Sequence, residues 1–119
     1  MEVIDWPVLD REQLQHLRWL FATTGKVPLV SADAVCFMLD RIFDNWCNEA
    51  GHLLADATAE EIDSAAQEFV SAGPFFVLNL ANGNPIIVEA NDLQAEVEGQ
   101  HYRPAAVFRS VERWKTVPP

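Results

Sequence analysis

From Asp33 to Leu54 the apolar residues recur as a helix requires: Val35, Met38, Leu39, Ile42, Phe43, Trp46, Cys47, Ala50, Leu53 and Leu54 keep to i, i+3, i+4 and i+7 spacing. A stripe this long and broad predicts a spine helix that needs partners on more than one side. Arg41, Asp44, Asn45, Asn48 and His52 fall on the opposite face and are expected in solvent. Whatever else the chain does, it must pack its remaining elements around this helix.

The flanking segments supply those elements. Thr58-Ala59-Glu60-Glu61 reads as a capping box, in which the Thr58 hydroxyl takes an amide of the first turn and Glu61 reaches back. The helix it opens turns Ile62, Ala65, Ala66, Phe69 and Val70 inward, and Gly73 is expected to end it in a left-handed conformation. Pro74 then suits the first position of a new helix, with Phe75, Phe76, Leu78 and Leu80 as the bulk that the alanine-rich helix lacks. Asn84 and Pro85 repeat the device as N-cap and first residue of a helix carrying Ile86, Ile87, Ala90, Leu93 and Val97, ended by Gly99. Pro104 opens a last helix with Val107, Phe108, Val111 and Trp114. Before the spine, Met1 to Ile4 reads as a strand, Asp10 as an N-cap, and Leu14, Leu17 and Phe21 as a helix closed at Gly25. Lys26 to Val30 follows as a strand or extended link. The fold class is mainly α, a helical bundle preceded by a short strand-helix-strand.

At 119 residues with a formal charge of -10, the chain has room for one core and little attraction for phosphate backbones or anionic membranes. The reading is therefore no nucleic acid and no membrane. No apolar run approaches the roughly 18 residues of a membrane span, and Met1-Glu2-Val3-Ile4-Asp5 has no basic leader, which points to a cytoplasmic protein. Cys36 and Cys47, placed on one face of the spine helix about 16 Å apart, are expected to be buried free thiols. Glycine-rich phosphate loops, H-E-x-x-H and G-x-S-x-G are absent. His16, His52 and His101 fall in three separate elements, and no metal site is expected. The carboxylates at Glu60, Glu61 and Asp63 suit a helix start, and those at Glu89, Asp92, Glu96 and Glu98 a solvated face. Asp40 stands apart at the border of the apolar stripe, where it is either paired near Arg41 and Asp44 or faces a cleft.

The segments "GKVPLVSADAVCFMLDRIFDNWCNEAGHLL" and "ATAEEIDSAAQEFVSAGPFFVLNLANG" resemble the C-terminal helical domain of the L-3-hydroxyacyl-CoA dehydrogenases of fatty-acid β-oxidation, a bundle similar to that of 6-phosphogluconate dehydrogenases. Gly25-Lys26-Val27-Pro28, then Asp33, Phe37 and Arg41, then Glu49-Ala50, Ala57-Thr58, Ile62-Asp63 and Gly73-Pro74-Phe75 carry the resemblance. It implies that residues 1–30 are the end of a nucleotide-binding α/β domain and residues 31–119 a dimerisation and acyl-CoA-cleft domain. It further implies a homodimer, an NAD-dependent parent whose cofactor this chain does not bind alone, and a chain inactive by itself. By the same resemblance Gly73, Pro74 and Phe75 line the substrate cleft. Asp40 takes the catalytic place of a family asparagine, and Val35-Cys36 replaces Pro-Gly. A non-catalytic helical interaction module is the alternative.

Overall fold

The computed structural model describes residues 1–119 and contains two compact units, Met1–Arg41 and Ile42–Pro119. In the first, β1 (Glu2–Asp5) and β2 (Leu29–Ala32) pair in parallel with Val3 opposite Val30, and α1 (Arg11–Thr23) connects them. Asp10 caps α1 as expected: its carboxylate accepts the Gln13 amide at 2.7 Å while the Gln13 side chain returns to the Asp10 amide at 3.2 Å. Gly25, with φ of +77°, turns the chain out of α1. The second strand begins at Leu29, three residues beyond where "KVPLV" starts, because Pro28 cannot donate to a ladder.

The spine helix is shorter than its periodicity. Residues 34–37 form a turn in which Cys36 and Phe37 take left-handed φ values of 60° and 50°, and α2 runs from Leu39 to Leu53. Its start is fixed from elsewhere in the unit: the Glu2 carboxylate accepts the amides of Met38 and Leu39 at 2.7 and 3.1 Å and the Ser31 hydroxyl at 2.8 Å. A carboxylate set against a helix N-terminus meets the positive end of its dipole. Cys36 therefore lies outside α2 and does not share a helix face with Cys47.

Two expectations follow. A non-glycine residue in the left-handed region costs on the order of 1 kcal/mol, so Cys36→Gly should leave the protein about equally stable or up to about 1 kcal/mol more stable, read by urea denaturation. The amide bonds hold the Glu2 carboxyl below its ordinary value of 4.5, first through Leu39. A lowered pKa means that this contribution is complete above the ordinary value and is lost as pH falls through the lower folded one. Amide exchange at Met38 and Leu39, corrected for intrinsic rate, should accelerate on acidification below pH 4.5, and Glu2→Gln should remove most of that pH dependence.

In the second unit α2 continues into α3 (Ala59–Ala66), α4 (Pro74–Ala81) and α5 (Asn84–Glu98), then two short 3-10 turns at Gln100–Tyr102 and Ala106–Arg109. The helix expected after Pro104 is thus a 3-10 turn and an irregular tail, whose backbone is held by side chains instead of by itself. Asn79 exchanges two hydrogen bonds with the Trp114 backbone, at 2.8 and 2.9 Å. Asn84 gives its amide to the Val111 carbonyl and accepts from the Trp114 indole. Asn84 is accordingly not an N-cap: that place belongs to Gly83, and the Asn84 side chain is spent on the tail.

The core joins Cys47, Ala50, Phe75, Leu78, Ile87, Phe108 and Trp114, with Trp114 against Phe75 and Phe108 at ring-centroid distances of 4.8 and 5.7 Å. Around it the two long helices are rotated from their sequence pattern, so that part of each polar face goes in beside Cys47, Ala50 and Ile87 and part of each apolar face comes out. Asp44, Asn48, Asn91 and Gln94 are buried, while Ile42, Leu53, Ile86, Leu93 and Val97 are exposed, Ile42 by 68%. Most of the buried amides are bonded across elements, Asn91 to Asn45, Asn45 to Gln94, and Asn48 to the Arg103 carbonyl and the Ala105 amide, while Gln94 donates to Glu98 within α5 and the Asn91 Oδ1 is buried without a partner. Amides paired in this way fix one register for the packing at little net cost, whereas the same groups unpaired would each be penalised by about 1–3 kcal/mol.

Candidate functional site

The Gly73-Pro74-Phe75 corner is organised around one buried acid. Asp63 sits on the inner face of α3 with no solvent exposure, and its two oxygens accept the Phe75 and Phe76 amides, each at 2.9 Å. It thereby caps α4, whose own N-cap, Gly73, has no side chain to do so. Gly73 is extended, at φ -76° and ψ 163°, not left-handed, and α3 has already ended at Ala66. Glycine is needed for space: a Cβ there would meet the Asp63 carboxyl and lie 2.5 Å from its Cα. Burial pushes the Asp63 carboxyl above its ordinary value, opposed by the two amide bonds.

Beside this corner the outer faces of α2 and α3 enclose an apolar groove of about 410 Å³. Trp46 and Leu53 stand on one wall, Ile62 and Phe69 on the other, and Ala50, Ala65, Ala66 and Pro74 form the floor. The alanines make the groove, since larger residues at those positions would fill it. Glu49 and Glu61 border it, Glu61 already holding the Thr58 amide and hydroxyl in the expected capping box, which lowers its carboxyl pKa. Phe69, expected inside, lies past the end of α3 and is 87% exposed at the lip.

Of the site residues read from sequence, Gly73 and Phe75 are buried in the Asp63 device and Pro74 alone borders the groove. Asp40 is exposed in the first turn of α2, within the unit Met1–Arg41. Asp63 was missed as a structural acid because a carboxylate after a capping box looks like a solvated helix start. Its position ten residues before the Gly73 N-cap, which has no capping side chain, was the available signal. Burial, then the charges of Asp44 and Asp63, pushes the Cys47 thiol far above the usual range, so it stays protonated and unreactive. No group of three His, Cys, Asp or Glu residues is placed to hold a metal ion, and no helix is long and apolar enough to cross a membrane.

Comparison with known proteins gives a consistent picture. No family model matches the sequence. The fatty acid oxidation complex subunit alpha of Vibrio campbellii is 33% identical over 81 residues, which are 66% of this chain and 12% of that protein. The (S)-3-hydroxybutyryl-CoA dehydrogenase of Ralstonia eutropha superposes with a TM-score of 0.80 at 25% identity over 91% of this chain and 40% of its own. The 3-hydroxybutyryl-CoA dehydrogenase of Escherichia coli K12 gives 0.77 at 22% identity, a likeness of fold alone, over 91% of this chain and 24% of its own. The chain thus spans well under half the length of each. Its architecture is a helical bundle like the C-terminal domain of these dehydrogenases, with a short strand-helix-strand before it.

Proposed function

We propose that this chain, similar in sequence and fold to the 3-hydroxyacyl-CoA dehydrogenases, is the helical C-terminal part of such a protein, shaping the acyl-CoA cleft and pairing with its twin. The parent would oxidise L-3-hydroxyacyl-CoA to 3-ketoacyl-CoA in fatty-acid metabolism, with NAD taking up the hydride. The observation that carries the reading is that the resembling motifs are one physical device: Thr58 and Glu61 start α3, Asp63 on α3 caps α4, and Gly73-Pro74-Phe75 receives that cap.

The residues of this chain do not fit a dinucleotide. The turn after β1 carries Trp6 and Pro7 where a phosphate would need glycines, and the N-terminus of α1 is already occupied by the Asp10 carboxylate, which would repel a pyrophosphate. Cofactor binding and the catalytic proton transfer therefore fall to a nucleotide-binding domain outside residues 1–119. Asp40 would face the substrate only in that company, where an ionised carboxylate accepts hydrogen bonds but cannot donate one to a keto oxygen as an amide can.

That difference favours the second reading, a helical interaction module that keeps the fold without the chemistry. Acetoacetyl-CoA titrated into the chain fused to a nucleotide-binding dehydrogenase domain, with NADH oxidation followed, separates the two. Saturable turnover that rises at least about tenfold in Asp40→Asn supports the dehydrogenase part, since a substrate hydrogen bond gained is worth about 1.4 kcal/mol or more. Absence of binding and turnover in both forms leaves the interaction module.

A further inference from the structure

Asn82-Gly83 is the chain's one Asn-Gly pair, and it forms the turn between α4 and α5. Asparagine before glycine is the pairing most open to spontaneous cyclisation, because the following amide nitrogen meets no Cβ as it approaches the side-chain carbonyl carbon. Asn82 is exposed, so water reaches it freely. Its backbone is nevertheless closed to the reaction. At ψ 45° the Gly83 nitrogen stands nearly opposite the Asn82 Cβ about the Cα–C bond, whereas closing a five-membered ring requires the two to eclipse. The same amide donates to the Leu78 carbonyl at 2.9 Å, which retains the proton that cyclisation must remove. Gly83 is also buried against Leu78, where even a Cβ would lie 2.8 Å from Cδ2.

We propose that Asn82 is a modification site gated by the fold, protected while α4 and α5 hold the turn and cyclised once it opens. In the open chain the Gly83 nitrogen gives up its proton and attacks Asn82 Cγ. The N–Cγ bond forms, the Cγ–Nδ2 bond breaks, and Nδ2 leaves with a proton as ammonia. Water then opens the succinimide, its hydroxyl adding to one of the two ring carbonyls and its proton going to the ring nitrogen. Opening at Cγ gives aspartate; opening at the backbone carbonyl gives isoaspartate, with the main chain rerouted through the side chain.

Neither product suits the turn. Aspartate at the C-cap sets a negative charge against the negative end of the α4 dipole. Isoaspartate adds a main-chain carbon between the Leu78 carbonyl and the Gly83 amide, just where the Gly83 carbonyl must accept the Ile87 amide to start α5. Asn84 follows directly and holds the tail at Val111 and Trp114, so a shifted turn loosens that anchor too. Asn84 itself is exempt, because Pro85 has no amide proton to give up. A chain that has once opened here is marked, and it does not regain its original stability.

Peptide mass spectrometry with isoaspartate detection, on the full chain held in mildly alkaline buffer with and without guanidinium chloride, tests this. In denaturant Asn82 should convert ahead of the other five asparagines, and Gly83→Ala should slow it. In buffer alone its conversion should be at least about tenfold slower, since only the transiently open fraction reacts. Asn82→Gly, which suits the left-handed φ of 50°, should fold with unchanged circular dichroism and abolish the signal. Converted chain returned to buffer should unfold at a lower urea concentration than unconverted chain. Any of three results overturns the proposal: equal conversion with and without denaturant, a denatured chain that converts first at another asparagine, or a converted chain as stable as the original.

Discussion

Gly73→Ala is expected to cost at least about 3 kcal/mol. The added Cβ would press on the Asp63 carboxyl and stand 2.5 Å from the Asp63 Cα, so rotating one side chain cannot relieve it. Either α3 and α4 move apart, opening the core at Phe75, or the Asp63 bonds to the Phe75 and Phe76 amides break. Urea denaturation followed by Trp114 fluorescence would measure it. A loss below about 1 kcal/mol would mean that the corner is far looser than its geometry implies.

Asp63→Ala should cost about 3 kcal/mol by a different route. Two amides at the buried start of α4 lose their only acceptor, at about 1–3 kcal/mol for each unsatisfied group, and a cavity is added. Asp63→Asn should cost less, because its carbonyl can still accept from one of the two. The two variants also isolate a pH effect. The folded Asp63 carboxyl is held above its ordinary value of 3.8, chiefly by burial, so the folded state binds the proton more tightly than the unfolded state does. Its contribution to stability is therefore fullest below that ordinary value and declines as pH rises through the folded one. Wild-type stability minus that of Asp63→Asn should accordingly fall as the solution is taken upward from pH 3.8, and a difference that rises instead would contradict the burial argument.

Local chemistry was legible in the sequence where it acts within a few residues. The Asp10 and Thr58 capping boxes, Gly25, Gly99 and the Pro74 helix start all follow from a side chain and a backbone four residues apart or fewer. Periodicity was less dependable, because it marks a face as apolar without saying whether that face is covered inside the chain or outside it. On α2 and α5 part of each polar face turned inward, where Asn91 donates to Asn45 and Asn45 to Gln94, and Ile42, Leu93 and Val97 turned outward. No window of sequence contains both members of those bonds. The same distance hid the Glu2 cap on α2 and the Asp63 cap on α4. At the candidate site the corner at Gly73-Pro74 was readable, and the groove beside it was not, since it is defined by alanines that leave space.

The paired amides of the second unit have a further consequence for how this sequence can change. Leucine for isoleucine in an oily interior is a small step, and neighbours adjust. Asn79, Asn84 and Asn48 offer no such latitude, since each answers a donor and an acceptor on a segment at least 27 residues away. A lineage altering one of them must at the same time rebuild the tail it anchors, so these positions should vary together or not at all, while the apolar residues on the outer faces follow whatever surface they meet.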